Sequence, residues 1–362
     1  MISVYIHIPF CSNICSYCDF SKMYYNKNYV EKYLDVLEEE IKSRYKGELV
    51  KTLYIGGGTP SSLDEKELER LFEIIKIFNL DKDCEFNLEA NVENLTEDKI
   101  KLFKENKVNR VSLGVQSFDN DNLVYLNRKH AKKDVFDIVK LLKENNIINI
   151  NIDLIYGINK NIEKVKKDID YFLQLDIPHI SCYSLIIEDN TVLKNNKTEY
   201  IDDDIEFEMY KYIENTLEDN NYIHYEISNY AKKDYESKHN LVYWNNEYYY
   251  GFGLSAVSYI NNYRITNTRN LSKYLNKEFI SLNQFEDKEI SMDNELMLGL
   301  RKFDGINLLK FKEKYNCDLE DVYNVKDLIK ENYLIKEKNT IKINKEYIYL
   351  SNEILLKIER NF

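Results

Sequence analysis

Glycine and proline are scarce, at ten and three in 362 residues. No flexible or proline-rich linker therefore divides the chain, and the few glycines that occur carry information. Positive charge is in deficit too. Lys and Arg number 50 against 62 Asp and Glu, a formal net charge of −12, and with no long basic run this argues against broad nucleic-acid binding. No apolar run reaches the ~18 residues needed to span a bilayer. The N-terminus has neither a basic n-region nor an apolar h-region, so a cytoplasmic location is expected. Of the six cysteines, Cys84, Cys182 and Cys317 are scattered, and nothing resembles a secreted disulfide framework. Cys182 sits in a strand-like run, where a small buried side chain is expected. The 31 tyrosines belong to a general richness in Lys, Asn, Ile and Tyr, so one tyrosine is weak support for function. No internal repeat is evident. The length suits one large α/β domain plus a smaller one.

The other three cysteines, Cys11, Cys15 and Cys18, fall within YIHIPFCSNICSYCDF at Tyr5–Phe20. Val4, Ile6 and Ile8 alternate as in a strand and Pro9 ends it, so the thiols occupy the loop after strand one. Three thiols this close are either unrelated, or hold zinc, or hold an iron–sulfur cluster. Structural zinc takes four ligands, commonly in two pairs. A four-iron cluster on three thiolates leaves one iron open to a small ligand.

Downstream, helical spacing over Tyr29–Tyr45 is followed by a strand running into GGGTPSS, a helix at Glu65–Ile77 and a strand at Cys84–Ala90. A helix near Thr96–Glu105, a strand at Arg110–Val115, a helix at Asp134–Glu144 and a strongly alternating strand at Ile147–Ile155 continue the pattern. Ile162–Leu173 and His179–Leu185 supply another helix and a sixth strand. Six strand–helix rounds imply parallel strands with right-handed crossovers. An α/β fold follows, as an open (β/α)6 partial barrel with side chains at the C-terminal strand ends lining one mouth. A doubly wound sheet is the alternative. Gly56, Gly57, Gly58 and Thr59, then Glu89 and Asn91, then Gln116 and Ser117, then Asp153 all fall late in successive strands. Singly, each is as readily a cap or solvated loop residue; jointly they mark a site.

Past Leu185 the pattern weakens. IIEDNTVLKNN reads as loop, Asp202–Leu217 as helix, and Tyr222–Tyr230 as one strand-like run containing Glu226. KHNLVYWNNEYYYGFGLSAVSY follows with the only Trp. From about Ser291, helix, glycine turn, helix, a short helix at Val325–Glu331 and an alternating hairpin over YLIKEKNTIKINKEYIYLS suggest a small winged-helix-like domain. Mixed charge makes it a lid or docking unit rather than a DNA reader.

The Cys-x3-Cys-x2-Cys spacing, with Tyr17 before the last thiol, resembles the radical S-adenosylmethionine (SAM) family. YIHIPFC and YCDF narrow the resemblance to the branch that holds the oxygen-independent coproporphyrinogen oxidase HemN and the haem chaperone HemW. YIGGGTPS, NLEAN, RVSLGVQSF with LNRKH, NIDLIYG, SCYSL, EISNYA, YGFGLSA and ELMLGLR extend it over nearly the whole chain. The resemblance implies a [4Fe–4S] cluster on Cys11, Cys15 and Cys18, with SAM chelating the open iron through its amino and carboxylate groups. Tyr5, Gly57, Gly58, Thr59, Glu89, Gln116, Arg128 and Asp153 match residues that contact SAM, and Tyr17 would pack near the cluster or the adenine. Glycines let backbone come close to a ligand, and an arginine fork suits a carboxylate. Without the resemblance, Arg128 would read as a surface helix residue. Val92 departs from the proline usual after Glu-Ala-Asn.

Phe20 stands where oxidases of this branch carry a fourth cysteine, and no extension precedes strand one. Both features favour the chaperone side. His239 in HNLVYW matches a haem-binding motif, and histidine is a common axial haem ligand; a buried, hydrogen-bonded histidine under an aromatic cluster is the alternative. The expected function is delivery of haem to client proteins, without coproporphyrinogen oxidase activity. A reductant such as flavodoxin or ferredoxin is an expected partner, nucleic acid is not, and a homodimer is left open. The alternatives are the oxidase itself, decarboxylating propionate side chains, and a metal-bearing winged-helix module. The expected division is residues 1–190 for the cluster and SAM core, 191–290 for an extension with the HNLVYW motif, and 291–362 for the small C-terminal domain.

Overall fold

A computed structural model of the chain describes Met1–Asn361; Phe362, the last residue of the expected C-terminal domain, lies outside the described residues. Six strands run parallel in sequence order: β1 (Ile2–Ile8), β2 (Leu49–Gly57), β3 (Asn79–Asn91), β4 (Arg110–Gln116), β5 (Asn149–Tyr156) and β6 (His179–Ser184). The crossover helices are α1 (Lys27–Arg44), α2 (Glu65–Ile75), α3 (Glu97–Glu105), α4 (Lys132–Glu144) and α5 (Ile162–Leu175), with α6 (Asp203–Asp219) after β6. These are the expected six rounds, and the expected partial-barrel fold.

Alternation along the strands sorts the side chains. On β5, Ile150, Ile152 and Leu154 join the apolar core against the helices, so Asn151 and Asp153 point the other way. Likewise Val4, Ile6 and Ile8 of β1 are fully buried with Val30, Tyr33, Leu34 and Leu37 of α1. Each such aliphatic side chain contributes about 1.5–3 kcal/mol of burial. The opposite face of the sheet is polar: Ser3, Thr52, Asn87, Ser112, Asn151 and Ser181 are all buried. An interior of this kind is built for a ligand rather than for packing. Helix starts are well set. Asp64 accepts from the Glu67 amide and Glu67 accepts from the Asp64 amide, a reciprocal cap on α2.

Four local features differ from the sequence reading. Tyr222–Tyr230 is a hairpin, β7 (Ile223–Glu226) and β8 (Asn229–Ala231), not one strand. A seventh parallel strand, β9 (Tyr249–Phe252), pairs with β1 from the far side. It follows α7 (Lys238–Trp244) and leads into the antiparallel β10 (Val257–Ile260), β11 (Tyr263–Asn267) and β12 (Ile280–Phe285). The loop IIEDNTVLKNN holds a one-turn helix, Val192–Asn195. After α8 (Lys288–Gly299), β13 (Ile306–Asn307), α9 (Leu308–Tyr315) and two short helices, the hairpin β14 (Leu334–Glu337) and β15 (Thr340–Ile343) completes a three-stranded sheet in winged-helix order. Lys345–Leu350, expected as strand, is a 3₁₀ turn because the Asn344 side chain caps the Glu346 amide. No helix among the described residues is long and apolar enough to cross a membrane.

Candidate functional site

The loop after β1 is pinned on several sides. Phe10–Cys11 pairs with Met23–Tyr24, so the cysteine segment folds back on itself. The Ser16 amide donates to the Leu126 carbonyl at 3.1 Å, Asn127 Nδ2 to the Ile14 carbonyl at 2.8 Å, and the Leu193 amide to the Ser16 carbonyl at 3.1 Å. The thiols are thus presented from a fixed loop.

Cys11, Cys15 and Cys18 line one cavity of ≈ 350 Å³. Tyr17, Gly57, Gly58, Thr59, Glu89, Gln116, Arg128 and Asp153 line the same cavity. Tyr5 and His239 are not on its wall. The Tyr5 hydroxyl is 3.0 Å from His7 Nδ1, and its ring lies 6.0 Å from that of Tyr54. His239 is 1 % exposed, with Nδ1 2.8 Å from Thr52 Oγ1 and Nε2 2.8 Å from the Tyr243 hydroxyl. Both ring nitrogens are therefore engaged, and iron ligation by His239 requires one of these bonds to open. Burial pushes its imidazole down to about 3, so the ring is neutral, the form that binds metal.

The sulfur atoms have donors. Thr59 Oγ1 is 3.4 Å from Cys11 Sγ, and Arg128 Nη1 is 3.4 Å from Cys15 Sγ. Burial pushes the Cys11 thiol up to about 11 and raises that of Cys18; a bound metal reverses this by taking the thiolate. Among the described residues no three His, Cys, Asp or Glu side chains converge to hold one metal ion. One zinc asks for four donors on a point. A cubane asks for soft sulfurs spread over its separate irons, and three thiols around one cavity, with Thr59 and Arg128 donating to two of them, fit that demand.

Carboxylates and amides complete the wall. Glu89 accepts from the Tyr54 hydroxyl at 2.7 Å and from the Gly57 amide at 3.0 Å. Burial nonetheless pushes its carboxyl up to about 7. Asp153 accepts from Asn151 at 2.8 Å and is also raised by burial. Gln116 has φ +69, beside a register shift between Gly114 and Gln116. A bulge of this kind re-aims a side chain at a strand end. Arg128 is held by Asn91 Oδ1 at 3.0 Å and by Glu93 at 3.3 Å.

The glycine loop is crowded by the chain itself. A Cβ on Gly56 would meet the Glu89 carboxyl at 2.7 Å; on Gly57, which has φ +114, the His7 ring at 2.5 Å; on Gly58, the Pro9 carbonyl carbon at 2.7 Å. Glycine is demanded here first by internal packing, and the openness toward a ligand comes with it. Tyr54, Glu93 and Arg110 also belong to the site or its support and were not legible. Tyr54 resembles any strand tyrosine, and Arg110 at a strand start reads as a surface residue.

Comparison with known proteins bears on this arrangement. The Radical SAM superfamily model matches residues 5–172, and the HemN C-terminal domain model matches residues 287–349. The "Heme chaperone HemW" of Lactococcus lactis subsp. lactis (strain IL1403) is 39% identical over 372 residues, covering 98% of this chain and 96% of that protein. The chain belongs to the HemW family. The HemW of Bacillus subtilis (strain 168) is 37% identical, with 98% of each protein covered. The fold agrees with solved structure as well. Coproporphyrinogen III oxidase HemN from Escherichia coli superposes with a TM-score of 0.85 at 20% identity, over 98% of this chain and 89% of that one. The HemW family thus sits on the radical SAM fold, with the cysteine loop at the cavity mouth.

Proposed function

We propose that this chain is a haem chaperone of the HemW type. It holds a [4Fe–4S] cluster on Cys11, Cys15 and Cys18, binds SAM beside it, takes up haem and passes it to haem-requiring proteins. The observation that carries this reading is the meeting of three thiols with Gly57, Gly58, Thr59, Glu89, Gln116, Arg128 and Asp153 around one cavity, in a chain that aligns end to end with HemW proteins. When bound, the cluster and SAM together supply one-electron cleavage of a sulfonium carbon–sulfur bond, with the electron drawn from a donor such as flavodoxin or ferredoxin.

The chain's own residues do the binding. Arg128 presents a permanent charge to a carboxylate. Glu89 and Asp153 accept from hydroxyl or amino groups, and Gln116 is aimed inward by its bulge. Tyr17 offers a flat surface near the thiols, and Tyr5, whose ring lies 6.0 Å from that of Tyr54, joins the SAM contacts. His239 serves haem once its bond to Thr52 or Tyr243 opens. Residues 1–190 form the cluster and SAM core, 191–290 carry the haem motif, and 291–362 act as the docking unit. Phe20, 64% exposed on the cavity rim, takes the place of an oxidase cysteine, so coproporphyrinogen oxidase activity is absent.

Haemin titration of the anaerobically reconstituted protein tests this reading. A shifted Soret band is expected for the wild type and its loss for His239→Ala. An unaltered band in the variant removes His239 as ligand, and turnover of coproporphyrinogen with SAM and reductant overturns the chaperone reading.

A further inference from the structure

Two arginines are buried among the described residues, Arg110 and Arg128. Arg128 pairs with Glu93 at 3.3 Å, and the half-buried Arg44 and Arg264 pair with Glu40 and Glu286, each at 2.6 Å. Arg110, at the start of β4, is 1 % exposed. No carboxylate among the described residues lies within salt-bridge reach of it. Its Nη1 donates to Asn149 Oδ1 at 2.7 Å and to the Tyr235 carbonyl at 3.1 Å. Its Nε has no partner, and Nη2 donates to no group among the described residues. The Nε/Nη2 edge is the side of a guanidinium that takes both oxygens of a carboxylate. A buried cation with that edge vacant is costly unless an anion arrives.

Arg110 lines the cavity that the three thiols open onto. Asn151, His179, Ser181, Asn229, Ser237 and Asn240 surround this inner part of the wall. Asn229 Oδ1 also lacks a partner. Asp153 and Glu89 share the cavity, and the Arg110 charge acts on the Asp153 carboxyl against the upward push of burial, but neither carboxylate lies within hydrogen-bond reach of the guanidinium, whose contacts are Asn149 and the Tyr235 carbonyl. His179, lowered by burial and then by the Arg110 charge, is neutral and adds no rival cation.

We propose that Arg110 anchors a carboxylate at the inner end of the cavity, so that the ligand of this barrel carries a carboxyl-bearing arm reaching past the thiols to β4. On the haem-chaperone reading, on which the identity of the arm rests, it is a haem propionate. A small free carboxylic acid has the same chemistry.

Haemin and haemin dimethyl ester are titrated into the reconstituted full-length protein. Sodium propionate is added separately, at constant ionic strength against sodium chloride, with the melting temperature as readout. Wild type, Arg110→Lys and Arg110→Gln are compared. Haemin is expected to bind the wild type about tenfold or more tighter than its ester, with the preference lost in Arg110→Gln and partly kept in Arg110→Lys. Equal binding of haemin and ester, with propionate raising the melting temperature of wild type but not of Arg110→Gln, makes a small acid the source. No haemin binding beside a propionate effect sinks the haem reading and leaves the subsite standing. Equal binding with no propionate effect overturns the proposal, and that comparison needs no variant. A haemin preference that survives unchanged in Arg110→Gln overturns it too.

Discussion

Arg128 reaches from the segment before α4 to the cysteine loop, placing Nη1 3.4 Å from the sulfur of Cys15. Asn91, Glu93 and the Gly114 carbonyl hold the guanidinium in place, and its Nε has no partner. Replacing it with methionine removes a charge-assisted hydrogen bond worth about 1.5–3 kcal/mol. Arg128→Met should therefore weaken SAM binding by tenfold or more, read by anaerobic calorimetry on reconstituted protein. Arg128→Lys should recover part of the loss, since it restores charge but not the fork. Equal SAM affinity in wild type and Arg128→Met would remove this residue from the site.

Glu89 makes the metal-free protein's stability depend on pH. Its folded pKa, about 7, lies above the unfolded carboxylate value of about 4.3. The folded chain keeps this proton where the unfolded chain has lost it, so the Glu89 contribution falls as pH rises through that window and is level above it. The buried, lowered histidines His7, His179, His224 and His239 act with opposite sign, so the test is a difference. The urea midpoint of Glu89→Gln, relative to wild type, should move in the variant's favour from pH 5 to pH 7.5. A difference that stays constant over this range would show that the carboxyl titrates normally.

The glycine loop should be intolerant in a graded way. Gly57→Ala combines φ +114 with a Cβ 2.5 Å from the His7 ring, and should cost about 3 kcal/mol or more from backbone strain plus overpacking. Gly47, with φ +87 and open space around it, should cost only about 1–2 kcal/mol for the backbone. Urea unfolding of the two variants measures the gap; equal losses would mean that the His7 contact relaxes freely.

The barrel was legible because its strands alternate so cleanly. NINID on β5 places isoleucines in the core and Asp153 in the cavity, and a period of two carries that information without tertiary knowledge. Strand β9 was not legible, because four residues in an aromatic run become a parallel strand only by pairing with β1, about two-thirds of the chain away. The supports of Arg128 and the vacancy at Arg110 were hidden for a related reason: a side chain's partners depend on which strands become neighbours. His239 shows the converse. Its motif was visible, while its bonds to Thr52 and Tyr243 belong to packing that the motif does not state.

The most direct measurement is iron and sulfide content after anaerobic reconstitution, for the wild type and for Cys11→Ala/Cys15→Ala/Cys18→Ala. About four irons and four sulfides per chain are expected in the wild type, with loss of both in the triple variant. A wild type that takes up no iron, or a triple variant that retains it all, would contradict a cluster on these thiols and the function built on it.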